Sequence, residues 1–310
     1  MGRVHGPGAV ARLEPPDRVG EVDLLNYSRP TTPQGGGNGR ALGVYGLQID
    51  GLTQAACWMQ PLRGAAGLAV ELSTAAGHAR SSRVDADNAD IELRGGGRLV
   101  MHRGSGRAEF AFTDRPTAAD LLHPYLAPAA ALAQIWVGAE ALHAGALAAP
   151  AGAVLLLGGK EAGKSTTLAW LAVERRVAVL ADDLAVLVAG AVLAGPRCLD
   201  IRPSDAFPGY GLGGDVRRGD RLRLPLAPVA SAVPVAGVAV LRWAARIQIG
   251  RVPVRDRLGE LLGQRMFRAH LAADLPAILD LAARPMITVA RPRGAEGLAA
   301  AGDALLRYFA

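Results

Sequence analysis

Lysine is almost absent from this 310-residue chain. Of its 34 Lys and Arg residues, only Lys160 and Lys164 are lysine. A chain that uses arginine wherever a positive charge suffices is expected to keep lysine only where a compact ammonium group is needed. Both lysines lie within one eight-residue segment, so that segment is the first candidate for a functional site.

Cysteine and aromatic residues are also scarce. Cys57 and Cys198 are far apart and form neither a metal-like pair nor a disulfide framework, which is typical of a protein from a reducing compartment. We expect both to be structural. Because aromatic residues make up 5% of the chain, the core is expected to rely on leucine, valine and alanine.

A long uninterrupted hydrophobic run is missing as well. The best candidate, 126–147, is interrupted by Gln134, Glu140 and His143, and no apolar leader region follows a basic start. We therefore expect a soluble cytoplasmic protein without a membrane partner.

The net charge of +6 is modest, and the arginines are scattered rather than concentrated in one block. Nucleic acid is therefore not an expected partner. Four arginines do lie within 217–223. They fit a basic face for an acidic peptide or anionic ligand as well as they fit a solvated loop.

The length permits two domains. Residues 1–40 lack hydrophobic periodicity and predict a flexible segment, whereas 41–125 alternates short apolar runs with turn residues and predicts a β-rich N-terminal domain. A helical stretch is predicted over 117–142. The third predicted unit, 126–310, is an α/β nucleotide-binding domain.

The strongest motif is G-G-K-E-A-G-K-S, which follows an apolar run and precedes a helical one. It fits the phosphate-binding loop G-x-x-x-x-G-K-[ST], whose backbone N–H groups and following helix cradle phosphates. Lys160 occupies a variable position and fits a solvated loop charge equally well. The predicted cofactor-binding residues of this loop are Gly158, Gly159, Lys160, Glu161, Ala162, Gly163, Lys164, Ser165 and Thr166.

This loop predicts ATP and Mg²⁺ as cofactors. Lys164 would reach the β- and γ-phosphates, and the Ser165 hydroxyl would ligate Mg²⁺. An ordinary glycine turn would not account for the retained Lys164.

A pair of carboxylates, Asp182 and Asp183, follows the apolar run 177–181. The carboxyl end of a buried strand is where α/β proteins bind ligands and where an acidic residue holds Mg²⁺. The second carboxylate could take a proton from an attacking hydroxyl. A turn or a helix cap is the alternative explanation for the pair.

The order of these motifs resembles the catalytic domain of the HPr kinase/phosphorylase family. The resemblance rests on Leu142-His143-Ala144-Gly145-Ala146, the loop 158–165, and Val179-Leu180-Ala181-Asp182-Asp183-Leu184. It implies that Asp182 is the base, that Asp183 binds Mg²⁺ and that His143 supports the acidic pair. Together with Lys164, these are the predicted catalytic residues. A packed polar residue is the alternative for His143.

A weaker part of the resemblance is Arg197-Cys-Leu-Asp-Ile-Arg-Pro-Ser204. It implies that Asp200 joins Ser165 and Asp183 as a metal ligand and that Arg202 contacts the nucleotide. The chain has Leu199-Asp-Ile-Arg-Pro where true HPr kinases carry a longer glycine-rich signature, which argues against combined kinase and phosphorylase activity.

The chain is also similar to shorter HPr-kinase-like bacterial proteins, some encoded beside lasso-peptide and other peptide-modification genes. The stretch 122–126, followed by Trp136 and His143, looks like their junction between two halves. The resemblance implies a serine of a peptide or small protein as acceptor, and it implies a homo-oligomer. Its fold expectation is a P-loop HPr-kinase-like α/β domain behind a smaller β-rich domain.

Three functions fit the sequence. The first is an ATP-dependent serine kinase acting on a peptide or small protein, such as a ribosomally made precursor peptide. The second is a nucleotide-dependent binding module in a tailoring complex without phosphoryl transfer, and the third is a small-molecule kinase. His143 and the second carboxylate favour transfer, because nucleotide binding alone needs neither.

The C-terminal third carries further periodic segments. Strands are predicted over 235–241 and 286–289, and a helix over 296–308. Two more helices are predicted over 258–268 and 271–282, with Asp274 and Pro276 marking a helix start or an interruption.

Overall fold

The computed structural model describes residues 41–62, 65–74, 82–93, 96–207, 216–218, 220–268 and 270–310. The flexible segment predicted over residues 1–40 lies outside this range. Within it the chain is a mixed α/β structure with three sheets. None of the helices in the described part of the chain has the length and apolar character that a membrane crossing requires.

The first sheet has eight strands in the order β3-β1-β2-β4-β8-β7-β6-β5, as expected from the short apolar runs in this part of the sequence. Inward and outward side chains alternate along most of these strands, so one face is buried. A 3-10 helix, Thr53–Trp58, separates the second and third strands. The strands are β1 Ala41–Val44, β2 Leu47–Asp50, β3 Gln60–Leu62, β4 Ala66–Ser73, β5 Arg83–Val84, β6 Asn88–Leu93, β7 Gly97–His102 and β8 Arg107–Phe112.

The helical stretch predicted over 117–142 is shorter and irregular in the structure. It comprises α1 (Ala118–Asp120), a π-helical segment (Leu121–Tyr125) and α2 (Leu126–Ile135). His123 is extended (φ −147°, ψ 120°), because the residue before a proline avoids the helical region. The prediction was wrong beyond 135, where Gly138 at φ +93° turns the chain and 140–142 form a strand.

The second sheet contains nine strands, and the residues of the candidate site follow the ends of several of them. Its path is β12-β10-β11-β18-β14-β13-β9, with β20 beside β18 and β19 beside β20. Strand β18 pairs in parallel with β11 and β20, so these three carboxyl ends point the same way. The strands are β9 Glu140–Leu142, β10 Gly145–Ala149, β11 Gly152–Leu157, β12 Val179–Ala181, β13 Ala185–Val188, β14 Ala191–Leu193, β18 Ala232–Trp243, β19 Gln248–Arg251 and β20 Met286–Arg291.

A third, three-stranded sheet has the order β15-β17-β16 and contains Cys198–Ile201, Arg221–Pro225 and Val216–Arg218, respectively. Asp200 on β15 lies opposite Arg223 on β17. The sequence allowed a solvated loop for the segment 217–223. In the structure, part of this segment is in strand β17, and its Arg223 is buried.

Four further helices complete the fold: α3 Lys164–Glu174, α4 Val254–Leu262, α5 Leu275–Ala283 and α6 Ala295–Tyr308. The sequence left open whether Asp274 and Pro276 mark a helix start or an interruption, and the structure has a start: the Asp274 side chain accepts from the N–H of Ala277. The helix predicted over 271–282 therefore begins at Leu275. The helix predicted over 258–268 begins four residues earlier and ends at 262, before Gly263.

One hydrophobic core cluster contains residues from the first and second sheets together. Tyr45, in the turn between β1 and β2, belongs to it and is 1% exposed. A second cluster lies around α3, α6 and the third sheet. The predicted domain boundary at 125/126 stays a prediction.

Candidate functional site

The glycine-rich loop 158–163 connects β11 to α3. Gly158, Glu161 and Gly163 all have positive φ, at +151°, +65° and +85°. At φ +85° any side chain at position 163 would be strained, so this turn favours glycine. Successive N–H groups in such a turn, followed by a helix start, form a concave anion-binding surface.

Lys164 is the first residue of α3 and is 6% exposed. Its Nζ donates to the carbonyl oxygens of Gly158 at 2.8 Å and Gly159 at 3.3 Å, and it lies 3.3 Å from His143 Nε2. Burial lowers the pKa of Lys164, while Asp183 and Asp182 act in the opposite direction. The ammonium group is therefore fixed at the mouth of the loop.

His143 lies between β9 and β10 and links Lys164 to the acidic pair. Its Nδ1 is 3.0 Å from the carbonyl oxygen of Asp183. Because a carbonyl only accepts, Nδ1 carries the proton, which leaves Nε2 as an acceptor facing the Lys164 ammonium. The histidine thus has a defined tautomer.

Asp182 directly follows β12 and is 3% exposed. Its Oδ1 accepts a hydrogen bond from Ser165 Oγ at 2.9 Å. Its Oδ2 is buried and has no hydrogen-bond partner among the described residues. Burial, and then the charge of Asp183, raise the pKa of Asp182 well above its ordinary range.

The end of β12 is held by a buried arginine. Arg197 donates to the carbonyl oxygens of Val179 at 2.9 Å and Leu180 at 2.8 Å. Asp183 then adopts φ +63°, a left-handed conformation that aspartate tolerates better than most residues. Both carboxylates, Asp182 and Asp183, therefore follow directly after the end of β12.

The remaining loop residues differ in exposure. Gly159, Lys160 and Glu161 are exposed, whereas Ala162 is buried and Thr166 is half-buried. Lys160 makes no hydrogen bond or ion pair with a described residue. This is compatible with the solvated loop charge that the sequence allowed.

Arg202 was predicted to contact the nucleotide, and Asp200 was predicted to be a metal ligand. Arg202 Nε donates to Asp220 at 2.6 Å, and its guanidinium lies 4.0 Å from Glu161 of the loop. Asp200 accepts from Arg223 through both carboxylate oxygens, at 2.8 and 2.9 Å. The structure therefore places Asp200 in a buried ion pair, and its predicted metal role stays a prediction.

His123 was not predicted as a site residue, yet it lies beside the acidic pair. Its Nε2 is buried and has no hydrogen-bond partner in the described part of the chain. One ligand atom from each of His123, Asp182 and Asp183 lies within 4.8 Å of the others. Burial lowers the pKa of His123, whereas Asp200 and Asp183 raise it. The pattern His-Pro was visible in the sequence, but nothing in it indicated this proximity.

Two aromatic residues were also missed. The Tyr45 hydroxyl is buried without a hydrogen-bond partner among the described residues, and burial together with Asp183 and Asp182 raises the pKa of Tyr45. Trp243 Nε1 donates to the Glu161 carbonyl at 3.1 Å, and the guanidinium groups of Arg291 and Arg293 lie 4.4 and 4.6 Å from its ring centroid.

No protein-family model matches the chain, and no curated protein sequence matches it significantly. Among solved structures, the HPr(Ser) kinase/phosphatase from Coxiella burnetii matches with a TM-score of 0.23 and 13% identity, covering 55% of this chain and 95% of that chain. Neither value is high enough to assign a fold or a function. The chain therefore has a weak structural neighbour in a kinase/phosphatase, and membership of that family stays a prediction.

Proposed function

We propose that this chain is an ATP- and Mg²⁺-dependent kinase that transfers the γ-phosphate to a serine hydroxyl of a peptide or small protein. The observation that carries the proposal is that an ammonium, a hydroxyl and the acidic pair meet around one glycine-rich loop. Lys164 contacts His143, His143 contacts the Asp183 backbone, and Ser165 is bonded to Asp182.

The loop suits a phosphate chain. It contains three positive-φ residues, the type of backbone that forms anion-binding turns, and an added Cβ at Gly159 would meet nothing within 4 Å. The Lys164 ammonium already lies against the Gly158 and Gly159 carbonyls and adds a positive charge at this opening. Backbone donors and one point charge are what a nucleotide phosphate requires.

Mg²⁺ suits the oxygen atoms next to this loop. Ser165 Oγ and the Asp183 carboxylate would hold it, beside the buried and unpartnered Oδ2 of Asp182. When bound, the ion would neutralise charge on the β- and γ-phosphates. Asp200 is not needed for this site, because Arg223 already neutralises it.

Asp182 is the proposed proton acceptor. The serine oxygen of the acceptor forms a bond to the γ-phosphorus while the bond to the β–γ bridging oxygen breaks, so that ADP leaves. The serine proton passes to Asp182. Burial, and then the charge of Asp183, raise the pKa of this carboxyl, so its ionised form is a stronger base than an ordinary aspartate.

His143 is the proposed positioning residue of the site. It fixes the Asp183 backbone through Nδ1 and the Lys164 ammonium through Nε2. Positions held to within a fraction of an ångström are what phosphoryl transfer depends on. Arg202 contributes a further positive charge near Glu161 and is a candidate nucleotide contact.

The experiment is mass spectrometry of the protein incubated with Mg-ATP and a panel of serine-containing peptides and small proteins, including HPr and any precursor peptide encoded nearby. Asp182→Asn is the control. We expect a mass shift of one phosphate on a serine with the wild-type protein and none with the variant.

Other outcomes decide between the candidate functions. ATP binding without transfer to any acceptor would favour the nucleotide-dependent binding module, whereas phosphate appearing on an unmodified small molecule would favour a small-molecule kinase. Absence of ATP binding would contradict both the kinase and the binding-module proposals.

A further inference from the structure

Three potential ligand atoms of different chain segments meet beside the candidate active site. His123 precedes Pro124 in the π-helical segment, whereas Asp182 and Asp183 end β12. One atom from each lies within 4.8 Å of the other two. The group thus combines one imidazole nitrogen with two carboxylates.

Two of these residues each have a buried side-chain atom without a hydrogen-bond partner among the described residues. His123 is 1% exposed and Asp182 is 3% exposed, and neither Nε2 of the first nor Oδ2 of the second has a hydrogen-bond partner among the described residues. Buried polar atoms are normally satisfied, because leaving them unpaired is costly. A cation that accepts lone pairs from both atoms would satisfy them together.

We propose that His123, Asp182 and Asp183 bind a first-row divalent transition-metal ion of the Zn²⁺ class when no nucleotide is bound. Imidazole suits such ions, whereas Mg²⁺ prefers oxygen ligands and retains several waters. Three protein ligands and one open position are also a common Zn²⁺ arrangement.

The spacing is compatible with coordination. An ion at the centre of three atoms that are at most 4.8 Å apart lies no more than about 2.8 Å from each. A contraction of about 0.6 Å then gives the Zn–N and Zn–O distances of about 2.0–2.2 Å seen in proteins.

Neighbouring residues fix the ligands in place. The His123 carbonyl accepts from Arg223 Nη2 at 2.6 Å, and Arg223 is itself held by Asp200 and by the Ala119 carbonyl at 2.9 Å. Ser165 holds Asp182 through Oδ1, which leaves Oδ2 for the ion. Such outer contacts orient metal ligands and strengthen binding.

This site would compete with phosphoryl transfer. The ion occupies Asp182 Oδ2 and Asp183, the groups assigned above to proton acceptance and Mg²⁺ binding. In this respect alone the inference rests on the proposed function. The expected consequence is that Zn²⁺ inhibits transfer and that His123 determines its potency.

The test is calorimetric titration of the nucleotide-free full chain with Zn²⁺ in Mg²⁺-free buffer. We expect one site in the wild-type protein and a loss of affinity of about tenfold or more in His123→Gln and in Asp183→Asn. The control is His102→Gln, because His102 is exposed and contacts only Asn88 among the described residues. Thermal unfolding of each variant shows whether it is folded.

A second measurement does not require the His123 or Asp183 variants to fold. With ¹⁵N-histidine labelling, Zn²⁺ is expected to shift a ring nitrogen of one of the six histidines, and that signal must persist in His102→Gln. Unaltered Zn²⁺ affinity in folded His123→Gln, no Zn²⁺ binding by the wild-type protein, or no shifted nitrogen signal would each overturn the inference. These binding data are independent of transfer, so failure of the kinase proposal would be recognised separately.

Discussion

Ser165 donates a 2.9 Å hydrogen bond to Asp182 and thereby joins the first turn of α3 to the end of β12. These two residues are 17 positions apart and come from the two motifs that the sequence singled out independently. The bond brings the glycine-rich loop and the acidic pair into one site. Four predictions follow from this site and from the packing around it.

Lys164→Ala is expected to weaken ATP binding by about tenfold to a hundredfold, the usual effect of losing a hydrogen bond from a charged donor. Lys164 is buried at the loop, whereas Lys160 is exposed. Lys160→Ala is therefore the matched control and is expected to bind ATP nearly as the wild-type protein does. Calorimetric titration with Mg-ATP measures both, and equal losses would contradict the role assigned to Lys164.

Asp182→Asn is expected to keep ATP affinity and to reduce the transfer rate by about 10²- to 10⁴-fold, since it removes the proton acceptor but keeps the shape of the side chain. Rapid-quench measurement of product at saturating ATP gives the rate. Asp87→Asn, at an exposed position in the bend between β5 and β6, is the control. Transfer by Asp182→Asn at the wild-type rate would show that another group takes the proton.

Arg223→Met is expected to lower the free energy of unfolding by about 3–5 kcal/mol, because it leaves the buried Asp200 carboxylate without its partner. Arg202→Met breaks an exposed pair with Asp220 and is expected to lower stability far less, because water and salt screen exposed charges. Urea denaturation of both variants tests this. Similar losses would mean that burial does not distinguish the two pairs.

The stability of the protein is expected to fall at alkaline pH because of Cys198. Burial raises the pKa of this thiol from 9.0 to about 12. Between these values the unfolded chain releases a proton that the folded chain keeps, so the free energy of unfolding decreases by about 1.4 kcal/mol per pH unit from this group. Below about pH 8 the group contributes no slope.

Cys198→Ala should remove this part of the pH dependence. Denaturation of wild type and variant at a series of pH values above 8 gives the difference in slope, with Cys57→Ala as the control for the less buried thiol. Parallel pH profiles for wild type and Cys198→Ala would contradict the shifted pKa.

The sequence was sufficient to predict the loop, the helix after it and the strand before Asp182, because each has a local pattern. Gly163 and Lys164 mark a strand–turn–helix unit, and the apolar run before Asp182 marks a buried strand. The same local logic marked Asp274 as a candidate start of α5. Such features depend on neighbouring residues in the chain and are therefore accessible without a structure.

The sequence was insufficient where a contact joins distant segments. His123 and Asp182 are separated by 59 positions, and only the irregular helix before α2 brings the imidazole to the strand end. Arg223 was one of four arginines in a segment that a basic binding face and a solvated loop fit equally. Its pairing with Asp200 depends on the register of β15 and β17, which no local pattern specifies.

Tyr45 connects the first sheet to the acidic pair. Its N–H donates to the Ala194 carbonyl and its own carbonyl accepts from Gln134, both at 2.6 Å, while its ring packs so closely on Gly195 that a Cβ there would lie 2.8 Å from it. Gly195 in turn donates to Leu180, two residues before Asp182. The turn between β1 and β2 is thus joined to the end of β12 by a continuous path of hydrogen bonds and close packing, and we expect a change in this turn to reach Asp182 and Asp183.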